Sequence, residues 1–114
     1  MIDDDEIVGE FLEDGLDDWV SLHNVVWFTT RGEITEKSKT HAMEILGRLY
    51  SDGLMVPGRL GDVGFEDWPG GVSEWVTRSR SELDELDWKP MGAGFRLRLT
   101  EHGEAIAREA ESRS

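Results

Sequence analysis

The side chains able to do chemistry are few and scattered. His23, His41 and His102 lie far apart in the chain and show none of the paired spacings, such as HExxH, that seat a metal ion. His102 reads as a helix-surface residue. With no cysteine there is no thiolate zinc site, no cysteine nucleophile and no disulfide. The carboxylate runs Asp3-Asp4-Asp5-Glu6, Glu13-Asp14 and Asp17-Asp18 lack the alternating ligand pattern of a calcium loop. No glycine-rich loop follows a strand and opens a helix, so no phosphate cradle is expected, and Gly70-Gly71 fits a turn. The serines near the histidines assemble no triad. The expectation is a chain without catalytic residues, metal or cofactor, and not an enzyme.

Charge and aromatic side chains remain. The formal net charge is −13, and residues 1–18 hold nine acidic side chains and no basic one. A chain that grips a polyanion through its overall field should be basic, because phosphate neutralisation supplies most non-specific affinity. This one repels nucleic acid at long range, whereas a basic protein surface is attracted. Asp3, Asp4, Asp5, Glu6, Glu13, Asp14, Asp17 and Asp18 therefore form either a solvated face or a partner-facing patch. Five tryptophans read as core at helical spacing. Trp68 and Trp88 flank a helical insert and are the two expected to be exposed, as an apolar anchor for a partner.

The opposing signal is basic. Arg96 and Arg98 share one face of an alternating strand, about 6.6–6.8 Å apart along it. Arg59 can join them from a facing strand, and Lys37 and Lys39 precede the longest helix. Such residues either touch phosphates or line a solvated face paired with nearby acids.

The elements that must hold these residues are legible in part. Ala42, Ile45, Leu46, Leu49 and Tyr50 make a helical stripe. Thr35 or Ser38 caps its start. Ser51-Asp52-Gly53 stops it, with Leu54 folding back on Leu49. A short strand with Pro57-Gly58 follows. Before it, residues 3–14 predict an acidic helix with Ile7, Val8, Phe11 and Leu12 on one face and Gly15 as its stop, or else a frayed tail. Asp17 is placed as the N-cap of an almost wholly apolar helix over 18–30. Gly32-Glu33-Ile34 could add a short strand, and that short interval leaves little room for a separate helix. Residues 61–92 form an insert: an irregular loop through Phe65, Trp68 and Pro69-Gly70-Gly71, then a helix from about Val72 to Asp87. Phe95, Leu97 and Leu99 alternate with Arg96 and Arg98. Thr100 then caps a last helix, with Ala105, Ile106 and Ala110 inward.

Leu46, Leu49 and Gly53-Leu54, followed by a ribbon and then Leu99-Thr100-Glu101-His102-Gly103 and a helix, resemble winged-helix domains. Among these are the small bacterial regulators related to multiple-antibiotic-resistance repressors. The resemblance spans residues 17 to 110. It implies a wing where Arg59, Arg96 and Arg98 would meet DNA. Gly64-Phe65, Trp68 and a helix ending in Trp88, all inside that wing, are similar to small bacterial immunity-type proteins. The expected fold is mostly α with a small antiparallel β-ribbon (α+β), winged-helix-like. It has four to five helices and two to three short strands in a single domain, 1–114, with an acidic helix or tail at 1–16. The expected function is a non-enzymatic protein-binding module, an immunity protein or antitoxin for a partner with a basic surface. The alternative is a winged-helix DNA-binding transcription regulator, dimerising through the helix at 18–30 and the last helix. The acidic start, unlike a signal peptide, and the lack of a long apolar run lead to an expectation of a cytoplasmic chain without membrane contact.

Overall fold

The computed structural model describes residues 3–113, so the first two residues of the expected 1–16 helix or tail lie outside them. Among the described residues the order is α1 (Asp4–Asp17), β1 (Val20–Ser21), α2 (Leu22–Thr30), α3 (Glu36–Ser51), β2 (Met55–Gly61), β3 (Gly64–Asp67), α4 (Val72–Glu85), β4 (Arg96–Leu99) and α5 (Glu101–Ser112). This is a mostly helical α+β fold with one antiparallel sheet in the order β1-β4-β2-β3.

The long central helix α3 shows how locally the chain encodes its punctuation. Thr35 Oγ1 accepts the Ser38 N–H at 3.1 Å, and Ser38 Oγ accepts the Thr35 N–H at 2.8 Å. Two helix-start donors are thereby satisfied reciprocally. At the other end Gly53 sits at φ +68°. The Gly53 N–H reaches the Tyr50 carbonyl at 3.1 Å and the Leu54 N–H the Leu49 carbonyl at 3.0 Å. That is the Schellman pair, and both Leu49 and Leu54 are buried beside it. The start of α5 is fastened to the same turn. Thr100 Oγ1 donates to the Gly53 carbonyl and accepts the Gly103 N–H at 2.9 Å. A Cβ on Gly103 would lie 2.1 Å from the Leu54 oxygen, so only glycine lets the helix come this close.

The sheet covers one end of this helical layer. Met55 pairs with Leu99, Pro57 with Leu97, and Val20 with Leu97 from the other side. Val20, Met55, Pro57, Phe95 and Leu97 are buried. Arg96 and Arg98 alternate with Phe95, Leu97 and Leu99 and take the opposite face.

Several boundaries differ from the sequence expectation. Helix α1 does not stop at Gly15 but runs through it to Asp17. A Cβ there would lie 2.9 Å from Leu99 Cγ and 3.2 Å from Met55 Cε, so Gly15 serves close packing on the sheet. Asp17 is not a cap. Ser21 caps α2, accepting the Asn24 N–H at 3.3 Å, because Val20-Ser21 is taken by pairing with β4. Gly32-Glu33-Ile34 forms no strand, and the segment around Phe65 is strand β3 rather than an irregular loop. In α5 the buried residues are Gly103 and Ala107, while Ala105, Ile106 and Ala110 are exposed. The stripe turns this way because the first turn is pinned at Gly103.

Candidate functional site

The expected acidic patch divides into residues with internal work and residues facing solvent. Asp3 caps α1, its Oδ1 accepting the Glu6 N–H at 2.9 Å. Asp4 holds His41 Nε2 at 2.7 Å and Asp5 holds Arg48 at 2.7 Å, and that contact raises the Arg48 pKa. Asp14 accepts from the Asn24 amide at 3.0 Å, and Asp18 accepts the Trp19 N–H at 2.7 Å. Asp14 ties α1 to α2, and Asp4 and Asp5 tie it to α3. Glu6, Glu13 and Asp17 have no such partner and are exposed.

Glu6 and Glu13 border a groove of about 380 Å³ between α1 and α5. Its floor is made of Gly9, Leu12, Leu16, Ala107 and Ala110, and its rim carries Glu6, Glu10, Glu13 and Glu111. Glu10 is also bridged to Arg31. The groove exists because α1 and α5 meet through small residues. Apart from its chain neighbours and its own helix backbone, no heavy atom lies within 4 Å of where a Gly9 Cβ would be. Glu6, Glu10 and Glu13 stand at i, i+4 and i+7, one line about 10 Å long on the helix. A second acidic groove, of about 240 Å³, lies across α1 and is lined by Glu10, Glu13, Asp14, Asp17 and Phe28. The Glu13 ridge thus separates two hollows. An apolar floor beside a line of carboxylates can take a segment that is apolar on one side and cationic along an edge.

Trp68 and Trp88 are not exposed anchors. They keep 4% and 1% of their surface. Trp68 packs tilted against Phe95, ring centroids 4.7 Å apart, with the Arg78 guanidinium 4.0 Å from its ring centre. Trp88 donates its indole N–H to Asp84 at 2.9 Å. Both extend the core under the insert, where the polar N–H still finds a partner.

The basic residues are mostly spoken for. Arg98 makes a two-pronged contact with Asp67, at 2.8 and 2.7 Å. The guanidinium holds that carboxyl below its ordinary range. Arg59 pairs with Glu66 at 3.0 Å and Lys39 with Glu36 at 3.6 Å. Arg96 is half-buried and Lys37 exposed. Helix α3 packs against α4 along one side and leaves Lys37, Thr40, Glu44 and Arg48 exposed. Tyr50 Oη and Ser79 Oγ share a buried hydrogen bond of 2.8 Å, Tyr50 meets Trp75 edge-on, and Arg80 reaches Glu36 at 3.9 Å. Burial drives the Tyr50 phenol above its ordinary pKa, partly offset by Ser79.

A third hollow, of about 330 Å³, is apolar. Val26, Trp27, Ile34, Trp88, Pro90 and Met91 dominate its walls. The sequence singles out the apolar helix that forms one wall but not the segment around Met91 that forms the other; what unites them is the packing of α2 against the segment after α4.

Among the described residues no group of three or more His, Asp or Glu is placed to hold a metal ion. None of their helices is long and apolar enough to cross a membrane. No family model, curated protein or solved structure matches the chain.

Proposed function

We propose that this chain is a non-enzymatic protein-binding module whose α1–α5 groove receives a basic, amphipathic segment of another protein. The observation that carries the reading is the groove's construction: small and apolar residues on the floor, and Glu6, Glu10, Glu13 and Glu111 along the rim. Apolar contact supplies affinity, and the α1 carboxylate line supplies attraction and register. An immunity protein or antitoxin acting on a basic partner is the cellular role this fits. The winged-helix-like reading is supported by the order of α3, the β2–β3 hairpin, β4 and α5. The rival role, a transcription regulator, finds less support. The helix ahead of the hairpin has one side taken by α4, and Arg59 and Arg98 are neutralised by Glu66 and Asp67.

The test uses an amphipathic Leu/Lys helical peptide and, separately, duplex DNA. Peptide binding should weaken with added salt and fall about tenfold or more, roughly 1.4 kcal/mol, in Glu6→Gln with Glu13→Gln. Gly9→Leu places a side chain in the groove from a position where an added Cβ meets no atom of another element. It should block the peptide while raising stability by about 0.5–1 kcal/mol, since glycine is a poor helix residue. Tight, salt-sensitive DNA binding abolished by Arg96→Ala with Arg98→Ala would instead establish the regulator.

A further inference from the structure

We propose that the α1–α5 groove selects its partner by spacing: a helical segment with two cations seven residues apart on one flank and neutral residues between them. The inference rests on the groove reading above and specifies the occupant. With about 3.6 residues per turn, Glu6 and Glu13 lie within about 20° of each other around α1, beside the floor residues Gly9 and Leu16, whereas Glu10 lies about 40–60° further round. There it meets α2. Arg31, the C-cap of α2, pairs with Glu10 and lies 6.0 Å from the Trp27 ring centre. The middle carboxylate of the line is therefore neutralised from within the molecule, and Arg31 repels a second cation brought to it. Glu6 and Glu13 are exposed and make no ion pair among the described residues.

These two carboxylates stand about 10.5 Å apart along the helix axis. That is two turns of a partner helix, on which residues i and i+7 share one flank. An extended segment does not match, because its same-side residues fall about 6.8 or 13.6 Å apart. The small floor residues Gly9, Ala107 and Ala110 let a helix approach closely, since side-chain size at the contact sets interaxial distance. Among the described residues no helix of this chain carries two cations at that spacing, so the occupant is a different protein.

Two fluorescent helical peptides of equal length and composition test the spacing, each with one leucine stripe and two lysines on one flank. One holds the lysines at i and i+7, the other at i and i+4, where the second lysine meets the Arg31–Glu10 pair. The wild type should bind the first at least about threefold more tightly, the worth of one exposed ion pair. Arg31→Gly frees Glu10 and suits the backbone, because Arg31 sits at φ +54°. It should strengthen binding of the i, i+4 peptide and erase the preference. Arg31→Gln keeps the side-chain stem without its charge and should do the same. Equal or reversed binding of the two peptides by the wild type overturns the spacing proposal and leaves the groove reading standing. So does a preference that survives in either Arg31 variant, once its melting curve shows it folded. If neither peptide binds the wild type at low salt, the groove reading falls and this proposal with it.

Discussion

Asp67 and Asp84 carry the clearest electrostatic signatures at the residue scale. The Arg98 guanidinium holds Asp67 below the ordinary carboxylate range. The Trp88 indole N–H, supported by Arg80, does the same for Asp84. Both groups titrate lower folded than unfolded. Their stabilisation is therefore full above the unfolded carboxyl pKa, near 4, and is lost as pH falls through the folded values. Both are largely exposed, so each contributes at most about 1 kcal/mol. Asp67→Asn with Asp84→Asn should lower stability at neutral pH, and the gap to wild type should close as pH falls below about 4. Urea denaturation at pH 7 and at lower pH measures that gap. A gap constant with pH would mean that these carboxylates act through shape alone.

Helix α1 is where the element scale matters most, because its acidic surface allows two readings, a docked helix or a frayed tail. Its inner face decides between them: Ile7, Val8, Phe11 and Leu12 are buried, and Phe11 meets Phe28 edge-on at 5.2 Å. Phe11→Ala should cost about 3–5 kcal/mol, the range for a fully buried aromatic, and a chemical-denaturation midpoint measures it. A loss below about 1 kcal/mol would return α1 to the status of a weakly docked tail. What the sequence revealed follows from how local each signal is. The α3 cap, the Gly53 stop and the alternation of β4 depend on neighbours in the chain, and all were legible. Strand β1 is two residues long and too short to show a period. Gly15 resembles a helix stop because its reason, Leu99, lies far along the sequence. The acidic rim was visible as composition, but the floor of Gly9, Ala107 and Ala110 arises only when the two ends of the chain meet. Trp68 and Trp88 read as exposed because they flank the insert helix, whereas in space Trp68 lies on Phe95 and both are buried.

At the scale of the whole molecule, 13 units of excess negative charge are confined within 39 × 38 × 25 Å. The Debye length is about 30 Å at 0.01 M salt and about 10 Å at 0.1 M, so the repulsion spans the molecule in dilute buffer and is screened at moderate salt. Salt also weakens the ion pairs. These pairs lie at the surface, however, several of them one helical turn apart such as Arg80–Asp84 and Arg108–Glu104, and each is worth about 0–1 kcal/mol. A network bridging distant elements, chiefly Asp5–Arg48 and Asp67–Arg98, is too small to reverse the balance. Raising salt from about 0.01 M to 0.3 M should therefore raise the melting temperature by a few degrees, roughly 4 °C for each kcal/mol of relieved repulsion. A melting temperature that falls instead would show that the cross-element pairs outweigh the net charge. In that case Asp5→Asn and Asp67→Asn should each remove part of the salt dependence, because the screened attraction would then reside in those two contacts.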